Sequence, residues 1–199
     1  MLERAFYKRT TEVVARELLG KLLVRTDADG VVVLRLTEVE AYLGIDDPAC
    51  HTFGGRRTPR TETMWGEAGH AYVYLVYGLH SCLNVVTVGP SRPEAVLIRG
   101  GVVEAGSDLV RARRGPRVGE SALTDGPGKV CQGLAISRSN DGADLCASDS
   151  ALRICDDALE VPEDHVRRLP RVGVGYAGEA ASWPLRLRID ITKESFSDV

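Results

Sequence analysis

The first rhythm along the chain is helical. Thr10 or Thr11 can cap a helix whose apolar face is Val13, Val14, Leu18 and Leu19, and Gly20 supplies its stop. The apolar period then shortens to two. Residues 21–25 and 31–42 flank Asp27-Ala28-Asp29-Gly30, whose turn chemistry predicts a β-hairpin. Plain alternation along the second strand sets Leu34, Leu36, Glu38, Glu40 and Tyr42 on one face. Two carboxylates thus end an otherwise apolar surface, and a solvated strand end would explain them as well as a site would.

Residues 44–70 show no period and are rich in Gly, Pro, Thr and Arg. An irregular segment of that length in a compact domain is more often functional than idle. Residues 72–76 alternate, Gly78-Leu79-His80 turns, 82–88 returns as a partner strand, and a short strand over 95–98 ends at Arg99. The charged stretch 102–119 reads as weakly helical, and 129–137 as a second short helix after the breaker Gly126-Pro127-Gly128. Asn140-Asp141-Gly142 is a turn, 152–155 a strand, and 162–169 a helix with Pro162 in its first turn. The last strand alternates Leu185, Leu187, Ile189 and Ile191 with Arg186, Arg188 and Asp190. Strands outnumber helices, do not alternate regularly with them, and contain no internal repeat. The expected fold class is α+β: a single domain over 1–199 with a curved, mainly antiparallel sheet flanked by short helices.

Composition narrows the class. At 199 residues, 44% hydrophobic and 27% charged, the chain can bury one full core as an ordinary soluble protein. No apolar run is long enough to span a bilayer, and the start MLERAFYKRT lacks the apolar core of a signal peptide, so no membrane association and a cytoplasmic location are expected. The five cysteines are odd in number and form no C-x-x-C pair, which argues for reduced thiols. A net charge of −3 opposes bulk attraction to nucleic acid. The arginines nevertheless gather in three clusters, at 56, 57 and 60, at 111, 113, 114 and 117, and at 167, 168 and 171, so a local basic strip stays open.

Three signals weaken on inspection. Gly173-Val174-Gly175-Tyr176-Ala177-Gly178 spells the dinucleotide fingerprint, but too little chain follows for the helix, strand and acidic residue that fingerprint needs. A Gly-rich loop with close backbone approach is the better reading. Asp125-Gly126-Pro127-Gly128-Lys129 resembles the end of a phosphate loop, yet Leu123 replaces its first glycine and Val130 its magnesium-binding hydroxyl. His51, His70 and His80 with Glu38 and Glu40 fit no metal-ligand spacing, so no metal or cofactor is expected.

What survives is the stretch from 36 to 84. Excising a base from duplex DNA requires rotating it out of the stack, aromatic faces to hold it, and a carboxylate to activate water at the sugar carbon. It also requires a wedge to fill the gap and arginines to grip phosphates. Glu40, Tyr42, His51, Tyr74, Tyr77, Asn84, Arg56 and Arg60 supply these residue types within one segment. The motifs E-x-E-A-Y-x-G (38–44), H-x-x-G-G-R-x-T-P-R (51–60), Y-V-Y-x-x-Y-G (72–78) and G-P-x-K-x-C-Q (126–132) occur in this order. In these motifs, and over nearly its whole length, the chain resembles the alkyladenine (methylpurine, 3-methyladenine) DNA glycosylase family.

The resemblance implies a monofunctional glycosylase that binds double-stranded DNA containing damaged purines (3-methyladenine, 7-methylguanine, hypoxanthine or ethenoadenine) as a monomer, without cofactor or lyase step. It selects Glu40 over Glu38 as the base that activates water, with Arg99 positioning the nucleophile. Tyr42, His51 and Tyr74 would enclose the flipped base, Asn84 would guard against the amine of guanine, and Tyr77 would enter the minor groove. Arg56, Thr58, Arg60, Met64, Lys129 and Arg138 match the family's DNA-contact positions. Leu79 and His80 depart from the Met and Tyr that other members carry after the wedge. The absence of a long basic N-terminal tail points to a bacterial-type, nucleoid-associated enzyme. A non-catalytic damaged-DNA binder and a nucleosidase using Glu38 and Glu40 are the alternative readings.

Overall fold

The alternating segments assemble into one curled antiparallel sheet. In a computed structural model describing residues 1–190, the strands are β1 (Leu22–Asp27), β2 (Gly30–Tyr42), β3 (Ala71–Val76), β4 (His80–Gly89), β5 (Arg92–Ala105), β6 (Leu152–Cys155), β7 (Val166–Leu169) and β8 (Arg186–Ile189). Their order is β3-β4-β5-β2-β1-β6, with β8 beside β2 and β7 beside β8. The helices are short: α1 (Arg4–Tyr7), α2 (Thr11–Leu18), α3 (Ser107–Arg114) and α4 (Pro127–Gly133). No helix among the described residues is long and apolar enough to cross a membrane. The β1–β2 hairpin closes as its turn residues predict, with Asp27 Oδ1 accepting the Asp29 N–H at 3.0 Å.

Several predicted boundaries move, each for a tertiary reason. The stretch 102–119 is not helical at its start: β5 runs on to Ala105, and α3 begins only after Gly106 turns the chain at φ 76°. The helix expected over 129–137 is α4, which starts at Pro127 and stops at Gly133. The helix expected over 162–169 is contradicted: one 3₁₀ turn at Glu163–His165 leads straight into β7, which pairs with β8. Ladder pairing against β8 outweighs a weak local helical preference. Val13 is exposed while Val14, Ala15 and Leu18 enter the core, and Ile191 lies outside the described residues.

The main correction concerns which way β2 faces. Val32, Leu34 and Leu36 point into the core, but so do Val39 and Ala41, so the inward parity changes between Leu36 and Val39. The pairing explains the change. Leu36 lies opposite Gly101 and Glu38 opposite Gly100, leaving Thr37 as an extra residue on β2. Val39 then lies opposite Ile98, leaving Arg99 as an extra residue on β5. The two bulges compensate, so the register is the same on either side of them while both strands rotate. Gly101 permits the approach, since a Cβ there would lie 2.3 Å from the Arg35 carbonyl oxygen. Glu38, Glu40 and Tyr42 therefore do not share the face of Leu34 and Leu36. Beyond the bulges one sheet face packs on the helices through Val39, Ala41, Val73, Leu83, Val85, Val96 and Ile98, and the opposite face presents Tyr42, Tyr72, Tyr74, Asn84 and Leu97 to a cavity.

Candidate active site

The cavity holds about 600 Å³, and its aromatic wall follows from strand alternation: Tyr72 and Tyr74 leave β3 on the same side. Their rings stack at 5.4 Å, and the His51 ring meets Tyr74 edge-on at 4.6 Å. The Tyr72 hydroxyl and His51 Nδ1 are hydrogen-bonded at 2.9 Å. Burial, with the charges of Arg60 and Arg56 adding to it, lowers the His51 pKa to about 4, so the ring is neutral at physiological pH. Asn84 is buried beside this wall and donates from Nδ2 to the Tyr72 carbonyl oxygen at 3.2 Å, which fixes its amide in the cavity lining. Met64 is buried under the same aromatic cluster.

Glu40 sits at the edge of this wall with no exposed surface of its own. Its Oε2 accepts from the Tyr42 hydroxyl at 2.9 Å and its Oε1 from the Val172 N–H at 2.8 Å, while Arg99 Nη1 lies 3.4 Å from Oε1. Burial raises the Glu40 pKa above the usual carboxylate range, and Arg99, the Val172 N–H and the Tyr42 hydroxyl pull it back down. Glu38 is differently placed: Arg99 Nε donates to its Oε1 at 2.9 Å and Arg186 Nη1 to the same oxygen at 3.1 Å. Arg99 thus spans both carboxylates, which is the consequence of its standing out of register on β5. Of the two acids, only Glu40 is enclosed with the aromatic wall.

At the cavity mouth the β3–β4 hairpin turns through Tyr77 and Gly78, both in the left-handed region at φ 51° and 70°. The Leu79 N–H closes the turn on the Val76 carbonyl oxygen at 3.1 Å. That conformation costs a residue with a Cβ roughly 1–2 kcal/mol, and here it holds Tyr77 with 93% of its surface exposed. Leu79 beside it is exposed too.

The three arginine clusters separate by their partners. In the second, Arg111 and Arg113 pair with Glu120 and with Asp27 and Asp29, while Arg114 bonds Gln132 and the carbonyls of Leu123 and Ala122. In the third, Arg167, Arg168 and Arg171 pair with Asp190, Glu163 and Asp47. In the first, Arg57 pairs with Glu62, but neither Arg56 nor Arg60 has a carboxylate partner among the described residues. Arg60 lies 4.9 Å over the Tyr74 ring. Among the described residues, Arg56 and Arg60 thus stand without a carboxylate partner on the loop beside the cavity; Arg117 of the second cluster, outside the cavity lining, has none either.

Tyr42, His51, Arg60, Met64, Tyr74, Tyr77, Asn84 and Arg99 all line the one cavity. Glu40, Arg56, Thr58, Lys129 and Arg138 do not; Glu40 lies directly behind the lining, bonded to Tyr42 and Val172, which are part of it. Thr58 braces the arginine loop by bonding Thr61, with its N–H 2.9 Å from Thr61 Oγ1. Lys129 pairs with Asp125 at 2.7 Å, and Arg138 donates to the Val73 carbonyl oxygen at 3.0 Å. Sequence reasoning missed the segment 171–176. Val172, Gly173, Val174 and Tyr176 line the cavity, and Arg171 lies behind Tyr42. The glycine-rich spelling of this segment, read as a loop of close backbone approach, was the available signal.

The methylpurine-DNA glycosylase model matches residues 5–193. A relative from Bdellovibrio bacteriovorus is 46% identical over 187 residues, covering 94% of this chain and 93% of its own. One from Desulfitobacterium hafniense is 43% identical with 95% of each covered, and one from Methanocella arvoryzae is 45% identical with 94% and 90% covered. All three are provisionally named 3-methyladenine DNA glycosylases.

Proposed function

Since the chain belongs to the methylpurine-DNA glycosylase family, and is thereby a DNA glycosylase of base excision repair, we propose that it rotates a damaged purine out of the duplex into the cavity beside Glu40. The observation that carries this reading is the juxtaposition of a buried, ionisable carboxylate with an aromatic wall, under a hairpin that holds an exposed tyrosine in a strained backbone. Tyr42, His51 and Tyr74 enclose the extruded base, each stacked face contributing roughly 1–3 kcal/mol. Tyr77 fills the gap left in the stack, and Arg56 and Arg60 bind the flanking phosphates. Thr58, Met64, Lys129 and Arg138 support or extend the DNA-binding surface.

Glu40 is the general base. A water entering beside it displaces the Tyr42 hydroxyl from Oε2, gives its proton to the carboxylate and attacks the sugar carbon, while the negative charge stabilises the developing sugar cation. Arg99 and the Val172 N–H hold Oε1 meanwhile. A 3-methyl or 7-methyl purine leaves from a cationic nucleoside as a neutral base, so the departure needs little acid help. Hypoxanthine and ethenoadenine fit the same aromatic wall. Asn84 excludes guanine, whose 2-amino group meets the fixed amide. No residue attacks the sugar, so the strand stays intact.

The test is release of free base from a duplex carrying 3-methyladenine or hypoxanthine, in EDTA. Release with an intact abasic strand is expected. Strand cleavage without alkali would contradict the monofunctional reading, and binding without release would assign the chain to damage recognition alone.

A further inference from the structure

One buried pair has no task in the reaction just described. Arg171 and Asp47 both have fully buried side chains, joined through both carboxylate oxygens: Nη2 donates to Oδ1 at 2.8 Å and Nη1 to Oδ2. Removing two ions from water offsets most of their attraction, and an apolar pair of similar volume packs at least as well. Stability alone therefore does not account for the pair.

Nearly everything it touches belongs to the site. Arg171 Nη1 also donates at 3.0 Å to the carbonyl oxygen of Ala41, the residue between Glu40 and Tyr42. Its guanidinium lies 4.8 Å from the centre of the Tyr42 ring. The next residue along the chain, Val172, supplies the N–H that Glu40 accepts. Asp47 is itself fixed by the N–H groups of Leu43 at 3.1 Å and Ala49 at 2.9 Å, just before His51. One ion pair thus fastens the 171–180 segment, the end of β2 and the loop that carries His51.

We infer that Arg171, held by Asp47, is a positioning residue for Glu40: it keeps the Val172 N–H on Oε1 and its own positive charge close by, so that the buried carboxylate stays ionised at working pH. The inference rests on Glu40 being the base. From the sheet, Glu40 faces Arg99 and Glu38, with Arg186 on the far side of Glu38; Tyr42, Tyr74 and Cys82 face it from the cavity wall. Arg99 is the cation in contact with it, at 3.4 Å, while the Arg171 guanidinium stands one layer back against the Tyr42 ring; the carboxylate favours the charged form of both. Without Arg171 and the Val172 N–H it holds, Arg99 and the Tyr42 hydroxyl are left to oppose the effect of burial.

A duplex with a single 7-methylguanine isolates the question, because its leaving group needs no proton and the acid limb of the rate reports the base. Single-turnover release is measured from pH 5 to 9 for the parent, Asp47→Asn, Arg171→Lys and the double variant Asp47→Asn/Arg171→Met, which leaves no buried charge unpaired. Melting curves check each fold. In the double variant the limb should move up by about one pH unit, slowing release roughly tenfold on the acid side while the plateau changes little. Asp47→Asn and Arg171→Lys should shift it less. Equal losses at every pH, or collapse of the fold in all three variants, would assign the pair to packing and overturn the inference. Glu40→Gln runs alongside: if it stays active, the base itself is misassigned, whereas a dead Glu40→Gln with an unmoved limb removes only the positioning role.

Discussion

Replacing Glu40 with Gln separates chemistry from fold more cleanly than any other change in this chain. Gln retains shape and one acceptor, and only one orientation fits. Its Oε must take the Val172 N–H and face Arg99, and its NH₂ must donate to the Tyr42 oxygen. What disappears is the negative charge and the proton acceptor. General-base assistance is typically worth about 10²–10⁴-fold, or roughly 3–5 kcal/mol of barrier, and the lost stabilisation of the sugar cation adds to it. Single-turnover release should therefore fall by at least about 10³-fold, with lesion-duplex affinity near the parent's. Stability should move the other way. Burial sets the folded pKa of Glu40 above its unfolded value, so the folded state holds the proton more tightly. The parent then loses stability as pH rises from the ordinary carboxylate range through the folded pKa. The Gln variant escapes that loss, so its Tm at pH 8 should be no lower than the parent's, with any advantage fading as pH falls through the same window. Glu38→Gln, which disturbs the Arg99 and Arg186 pairs, should be far milder in rate. If Glu38→Gln is the dead variant while Glu40→Gln turns over, the roles of the two acids are reversed and the mechanism above is wrong.

Three further outcomes follow from the same geometry. Affinity for undamaged duplex should fall steeply with salt, and Arg56→Ala or Arg60→Ala should each make the log–log slope shallower by about 1, because these cations have no carboxylate partner among the described residues; a slope that stays put would deny them a phosphate contact. Tyr77→Ser should slow release of a well-paired lesion several-fold more than release of a mismatched one, which is cheaper to extrude; equal losses would reduce Tyr77 to a surface ornament. Asn84→Ser should allow slow release of normal guanine while hypoxanthine remains a substrate, and continued rejection of guanine would place discrimination elsewhere.

Most of the cavity was legible in the sequence because it is built from a short span. Residues 40 to 99 supply its aromatic wall, the carboxylate behind that wall, Asn84 and the arginine loop, and strand alternation at Tyr72 and Tyr74 sends both rings to one side. The rest depended on contacts that no local pattern encodes. Arg171 reaches Asp47 across 124 residues and Ala41 across 130. The pairing of Arg113 with Asp27 across 86 residues and of Arg167 with Asp190 across 23 is likewise non-local. β7 owes its form to β8, not to its own composition. The facing of Glu40 failed for a subtler reason: alternation counts residues, and the extra residue at Thr37 changes the count without leaving a mark in hydrophobicity.

That extra residue has a consequence for how the chain finds its fold. Suppose β2 slipped by one position and lost its bulge. Val39 and Ala41 would turn toward the cavity, while Glu38, Glu40 and Tyr42 would turn into the core beneath the helices, two carboxylates going in without Arg99 or Val172 to meet them. An uncompensated buried charge costs several kcal/mol, a large share of the stability of a domain this size. The misthreaded sheet is thus penalised by the same acids that the correctly threaded one sets beside its cavity, and the residues that serve turnover also proofread the assembly of the strand that carries them.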